Sequence, residues 1–261
     1  MSRKTKNIIQ FLALSVCWIT AQTESSCTDK AETGYEIEQK SHMLGNVKVR
    51  VSPSAIQVTD LGKNIIYTSR APSWILQVVN PVAGTYYECK LLDFGGGSMN
   101  RSVALFTGRM LTDVPFDTKP TKESDGLLRF TSSAEYTKHQ IALKKNVKSS
   151  NGLPKVVNAW VSPSVTVPPQ AITLISRLYG ISETKGMPVR VRFFDFDNAQ
   201  KVFLSTTSLV KKPFTDNDFA KRLPTYQRVP NVSSVYRSKE QDDAVGDMLQ
   251  GMDTPLFRNQ H

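Results

Sequence analysis

The feature that most constrains this chain is a series of short apolar runs, recurring about every ten residues from Val47 onward. Val47, Val49 and Val51 alternate with Lys48 and Arg50, and Pro53 ends the run. Ala55 to Val58 follows, closed by Asp60-Leu61-Gly62-Lys63. Ile65 to Tyr67 is closed by Ala71-Pro72, and Trp74 to Val79 by Asn80-Pro81 and Ala83-Gly84. Thr85 to Leu91 completes the series. Alternation sends successive side chains to opposite faces of a strand, and the Pro, Gly, Asn and Asp clusters supply turns. An antiparallel meander is predicted. Nothing of helical length lies between the runs, which excludes parallel βαβ units here.

The second half resumes the pattern. Leu127 to Phe130, Gln140 to Leu143, Val156 to Val161, Val189 to Phe196 and Val202 to Val210 read as strands. One segment changes period. Pro168-Pro169 precede Ile172, Ile175, Leu178 and Tyr179, with Gly180 just after, which predicts a helix over 169–179. Thr215 to Leu223 reads as a short helical turn, and a further helical stretch is expected around Lys239 to Leu249. Thr28 to Lys40 reads as irregular, 93–100 as a Gly-rich hairpin connection and 111–126 as an exposed loop. Val103 to Thr107 reads as a short strand. The expected fold class is mainly β (α+β): a single antiparallel sheet, too long to stay flat, with a helix against one face. Such a sheet curls into a barrel or into a half-barrel closed by helices.

The N-terminus reads as a signal peptide. Arg3, Lys4 and Lys6 precede an apolar stretch from Ile8 to Ala21 and a polar, small-residue segment from Gln22 to Ser26. The stretch is shorter than the roughly 20 residues a membrane span needs. Cleavage is expected after Ala21, Ser25 or Ser26. Both lipid-anchor matches are poor: Val16 before Cys17 is bulky, and Glu24 stands three places before Cys27. A soluble, exported chain is expected, with periplasm and extracellular space both open. The organisation reads as 1–26 signal peptide, 27–44 irregular segment, 45–230 β domain and 231–261 polar tail.

The formal charge is +10, lowered to +7 when Arg3, Lys4 and Lys6 leave. The basic residues are scattered and no nucleic-acid motif accompanies them, so no nucleic-acid partner is expected. Of the three cysteines, Cys17 leaves with the signal. Cys27 and Cys89 remain, and an oxidising compartment permits a Cys27–Cys89 disulfide or two free thiols.

Catalytic chemistry is hard to assemble. The three histidines, His42, His139 and His261, have no partner at metal-ligand spacing, so neither metal nor cofactor is expected. No Gly-x-Ser-x-Gly elbow occurs. Asp195 and Asp197 share one strand face, but Asn198 beside them reads as turn chemistry. A non-catalytic protein is expected. What the sequence holds in quantity is aromatic strand surface: Trp74, Tyr86, Tyr87, Phe130, Trp160, Phe193 and Phe203. This is either a closed core or the lining of an apolar site.

Three segments carry a family resemblance. Val49-Arg50-Val51-Ser52-Pro53-Ser54-Ala55-Ile56-Gln57-Val58 is one. The second is Ser69-Arg70-Ala71-Pro72-Ser73-Trp74, followed by Val79-Asn80-Pro81 and Thr85-Tyr86-Tyr87. The third is Asp218-Phe219-Ala220-Lys221-Arg222-Leu223-Pro224-Thr225-Tyr226-Gln227-Arg228-Val229. Together the chain over about 45–230 resembles the LolA/LolB-like lipoprotein-carrier superfamily and its exported relatives. The resemblance implies an antiparallel half-barrel with helices plugging its concave side, an apolar ligand such as a lipid or acyl chain, and no catalysis. It implies a lipid or lipidated protein as partner. The expected ligand-facing residues are Trp74, Tyr86, Phe130, Trp160, Ile172, Ile175, Tyr179 and Phe193, with Ile172, Ile175 and Tyr179 carried by the covering helix. The segments at 93–126 and 148–169 are longer than the resemblance requires. The alternative is a structural or interaction protein of the envelope with a filled core and no ligand.

Overall fold

The computed structural model describes residues 31–96, 111, 113–146, 154–219 and 224–236. The strands are β1 Glu32–Ser41, β2 Gly45–Val51, β3 Ala55–Asp60, β4 Ile65–Arg70, β5 Ile75–Asn80 and β6 Thr85–Lys90. They continue as β7 Thr121–Lys122, β8 Leu128–Thr131, β9 Val156–Val161, β10 Pro188–Phe194, β11 Gln200–Phe214 and β12 Gln227–Arg228. Helices are α1 Ala134–Asn146, α2 Pro169–Tyr179 and α3 Val232–Tyr236. The strands form one open, curved sheet in the order β12-β6-β5-β4-β3-β2-β1-β11-β10-β9-β8-β7. Neighbouring strands are antiparallel throughout, except that β12 runs parallel to β6.

Register explains why the sequence alternates. Ile37, Val49, Val58, Tyr67, Val78 and Tyr87 stand opposite one another across β1 to β6. One residue along, the row reads Glu36, Arg50, Gln57, Thr68, Gln77 and Glu88. The first row lies on the apolar inner face and the second on the outer face. A slip of one residue in any pairing exchanges the two rows. Each large side chain buried in the first row stabilises the fold by roughly 1.5–3 kcal/mol.

Helix α2 covers the inner face. Pro169 occupies its first turn, and Gly180 ends it in the left-handed conformation at φ 65°. Ala171, Leu174, Ile175, Leu178 and Tyr179 join the same core as Ile37, Val49, Val58 and Val191. Of the 3.6-residue stripe seen in the sequence, Ile175, Leu178 and Tyr179 turn to the sheet, while Ile172 is buried outside this core.

The sequence and the structure part in several places. Residues 32–41, expected to be irregular, form β1. Gln39 and Ser41 take inward positions there, which hides the alternation from an apolar count. Gln140 to Leu143, expected as a strand, lies inside α1, where Ile141 and Leu143 are 42% and 40% exposed. A short apolar run does not distinguish strand from helix. Ser133 opens this helix, its Oγ accepting from the Tyr136 N–H. Residues 111–126, expected as exposed loop, hold buried Leu111 and Val114 as well as β7. The turn expected at 215–223 is a 3-10 turn at Asp216–Asp218, closed by a reciprocal Thr215–Asp218 capping box. The signal peptide, Cys27, the strand at 103–107 and the helix at 239–249 lie outside the described residues.

The C-terminal part crosses from one face to the other. Phe219 packs on Phe214 and Ala55 on the outer face, where Arg70 donates to the Asp216 and Phe219 carbonyls. Beyond it, β12 pairs with the β6 edge, and Val235 of α3 is buried against the inner face.

Candidate functional site

Beside α2, the inner face opens into a cleft of about 230 Å³, lined by residues 114–118, Phe130 and residues 183–185. Phe130 forms its floor. It pairs in register with Ala159, a member of the inner core, and so stands on the same side of the sheet as α2. The walls are held by backbone. Val114 N–H donates to Ser182 Oγ at 2.7 Å, and Ser182 N–H to the Leu111 carbonyl at 2.7 Å. Asp117 N–H donates to the Thr131 carbonyl and Ser133 N–H to the Pro115 carbonyl, both at 2.8 Å. At the rim, Lys185 Nζ reaches the Thr118 carbonyl at 3.4 Å, with Asp117 and Glu183 nearby. The cleft therefore has an apolar interior (Val114, Phe116, Phe130) and a charged mouth.

Two polar contacts seat α2. Tyr179 is fully buried, and its hydroxyl donates to Gln39 Oε1 at 2.7 Å. Gln39 Nε2 in turn donates to the Pro188 carbonyl at 2.9 Å. Burial pushes the Tyr179 phenol far above its ordinary value, so it is a neutral donor at any working pH. On the other flank, Arg177 Nη1 donates to the carbonyls of Leu91, Leu92 and Phe94 at 3.0, 2.6 and 2.6 Å.

The eight expected ligand residues do not converge. Ile175, Tyr179 and Phe193 share the inner core, and half-buried Trp74 packs against it. Ile172 is buried in the first half of α2, outside that cluster. Phe130 alone of the eight lines the cleft. Tyr86 pairs with Val79 and Trp160 with Arg190, and both belong to the outer face. Sequence alone missed Val114, Phe116 and Lys185. Their signal was present: Val114-Pro115-Phe116 is an apolar island in an otherwise polar segment.

Cys89 is half-buried and its thiol is pushed up chiefly by burial, with Tyr87 hydrogen-bonding to it. Its candidate partner Cys27 lies outside the described residues. Among the described residues, no three His, Cys, Asp or Glu side chains converge as a metal site, and no helix is long and apolar enough to cross a membrane.

No known protein family matches the sequence, and no curated protein matches it. A solved structure of an uncharacterized conserved protein from Thermus thermophilus is similar at TM-score 0.39 and 8% identity. The match covers 77% of this chain and 91% of that one, and a likeness of this level carries no argument.

Proposed function

We propose that the chain is an exported, soluble, non-catalytic binding protein whose curved sheet acts as a half-barrel closed by α2 and α3. An apolar ligand such as an acyl chain enters at the cleft beside Phe130. The observation that carries this reading is the cleft itself: an apolar floor continuous with the inner face, with Lys185 at its mouth. An amphiphile matches this layout, its apolar tail in the interior and its polar head at a mouth that carries Lys185 with Asp117 and Glu183. The cleft is smaller than the roughly 300–1,000 Å³ usual for ligand pockets. It accepts the end of a chain, and a longer ligand requires the 111–118 segment to move outward.

The test is uptake of a fluorescent fatty acid by delipidated protein. Binding weakened about tenfold by Phe116→Asp supports the reading, since a buried carboxylate opposes an apolar tail. No uptake by the unaltered protein removes it. The second reading, an envelope interaction protein with a filled core, is favoured by the Tyr179–Gln39 contact that seats α2 in the concavity. Native mass spectrometry of protein from its own host separates the two, because a co-purifying lipid mass belongs only to the first.

A further inference from the structure

The outer face carries a second arrangement, on the far side of the sheet from the cleft. Register sets Arg190, Trp160 and Arg129 side by side across β10, β9 and β8. The Arg190 and Arg192 guanidinium carbons stand 5.4 and 5.8 Å from the Trp160 ring centroid. Trp160 is only 8% exposed beneath them. The hairpin joining β7 to β8 brings two carboxylates to this cluster. Glu123 Oε1 lies 3.0 Å from Arg129 Nε, and Asp125 Oδ2 lies 3.8 Å from Arg190 Nη2. Arg192 has no ion-pair partner among the described residues, and its Nε is buried without a hydrogen bond.

We propose that this face binds an acidic peptide in extended conformation, with carboxylates at alternate positions. The turn between β7 and β8 shows the chemistry: Glu123 approaches Arg129, and Asp125 approaches Arg190. Arg190 and Arg192 are two residues apart on β10 and stack on one indole. Same-face side chains of an extended strand repeat at roughly 6.5–7 Å, so a peptide strand presents carboxylates at the spacing of the arginines. Planar guanidinium forks pair with carboxylates in two-point fashion. Trp160 fixes both forks from beneath. A nucleic acid is disfavoured because the indole is covered and offers no stacking surface.

The test titrates the full chain, carrying Trp18→Phe and Trp74→Phe so that Trp160 alone reports, with an octapeptide of alternating Glu and Thr. Saturable, salt-sensitive binding is expected, weakened about tenfold by Arg192→Gln and strengthened by Asp125→Asn, which removes the internal competitor. Arg192→Lys keeps the charge and loses the fork, and it too is expected to weaken binding. The proposal is overturned by absence of binding, by equal binding of the Gln-Thr analogue, or by folded Arg192 variants that bind as the parent does. Tighter response to inorganic phosphate or to phosphatidylglycerol vesicles than to the peptide likewise overturns it. None of these readouts depends on fatty-acid uptake, so failure here leaves the cleft reading standing.

Discussion

The hydroxyls of Tyr67, in the middle of β4, and Tyr236, the last residue of α3, lie 2.9 Å apart. Burial raises the Tyr67 phenol well above its usual range and pushes Tyr236 up to about 12. A raised folded-state value favours the protonated form. The contribution is therefore complete below pH 10, the ordinary tyrosine value, and is lost as pH rises through the folded values. Thermal unfolding across an alkaline series is expected to show stability falling above about pH 10. Tyr236→Phe is expected to cost about 1 kcal/mol at neutral pH and to make the alkaline fall shallower, since one buried phenol fewer titrates. An alkaline profile identical in the variant contradicts the assignment.

Gly34 of β1 lies close against Val51 of β2 and Phe214 of β11. A Cβ there meets the Val51 carbonyl oxygen directly and the Phe214 ring at 2.8 Å. The first obstacle is backbone and cannot swing away. Gly34→Ala is expected to destabilise by about 2–3 kcal/mol, the scale of an overpacked core site. Chemical denaturation measures it, and a change below about 0.5 kcal/mol, the scale of an ordinary surface substitution, means that β1 yields more easily than this contact implies.

How much of this was legible in the sequence depended on how local each signal was. The meander from Val47 to Leu91 was readable because inward valines alternate with outward Lys, Arg and Gln over consecutive runs. Helix α2 was readable because Pro169 and Gly180 bracket an uninterrupted stripe. β1 was not, because its inward Gln39 owes its burial to Tyr179 and Pro188, both about 140–150 residues away. The candidate site was less legible still. Trp160 and Phe193 look alike in a sequence of apolar strands, yet register sends them to opposite faces. The cleft depends on Val114 and Phe116 folding back onto 181–185, a contact without any local periodicity.

Arg177 ties α2 to the 3-10 turn at Leu91–Asp93 through three carbonyls. The Leu91 carbonyl also accepts from the Phe94 N–H. Arg177→Ala is expected to cost about 2 kcal/mol, the scale of hydrogen bonds to a charged group. The loss should be local, and faster amide exchange at Phe94, whose N–H donates to the Leu91 carbonyl, tests this. Arg177→Lys should recover part of the protection. Equal exchange in the parent and the Ala variant removes Arg177 as the tie.

Glu36 sets the acid side of the stability profile. Its carboxylate accepts from Lys212 Nζ at 2.5 Å and from Arg50 Nε at 3.1 Å, on the outer face. The Lys212 hydrogen bond, aided by Arg50 and opposed by partial burial, holds the carboxyl below its ordinary value of 4.5. A lowered folded-state value favours the ionised form. The contribution is therefore present above about pH 4.5 and is lost as pH falls through the folded value. Glu36→Gln keeps the shape and removes the charge, so its melting temperature is expected to drop less than the parent's between pH 5 and 3. Arg50 and Lys212 are partly exposed to solvent, and molar salt should narrow the difference between the two proteins. Parallel acid profiles at low salt assign the acid sensitivity to carboxylates elsewhere in the chain.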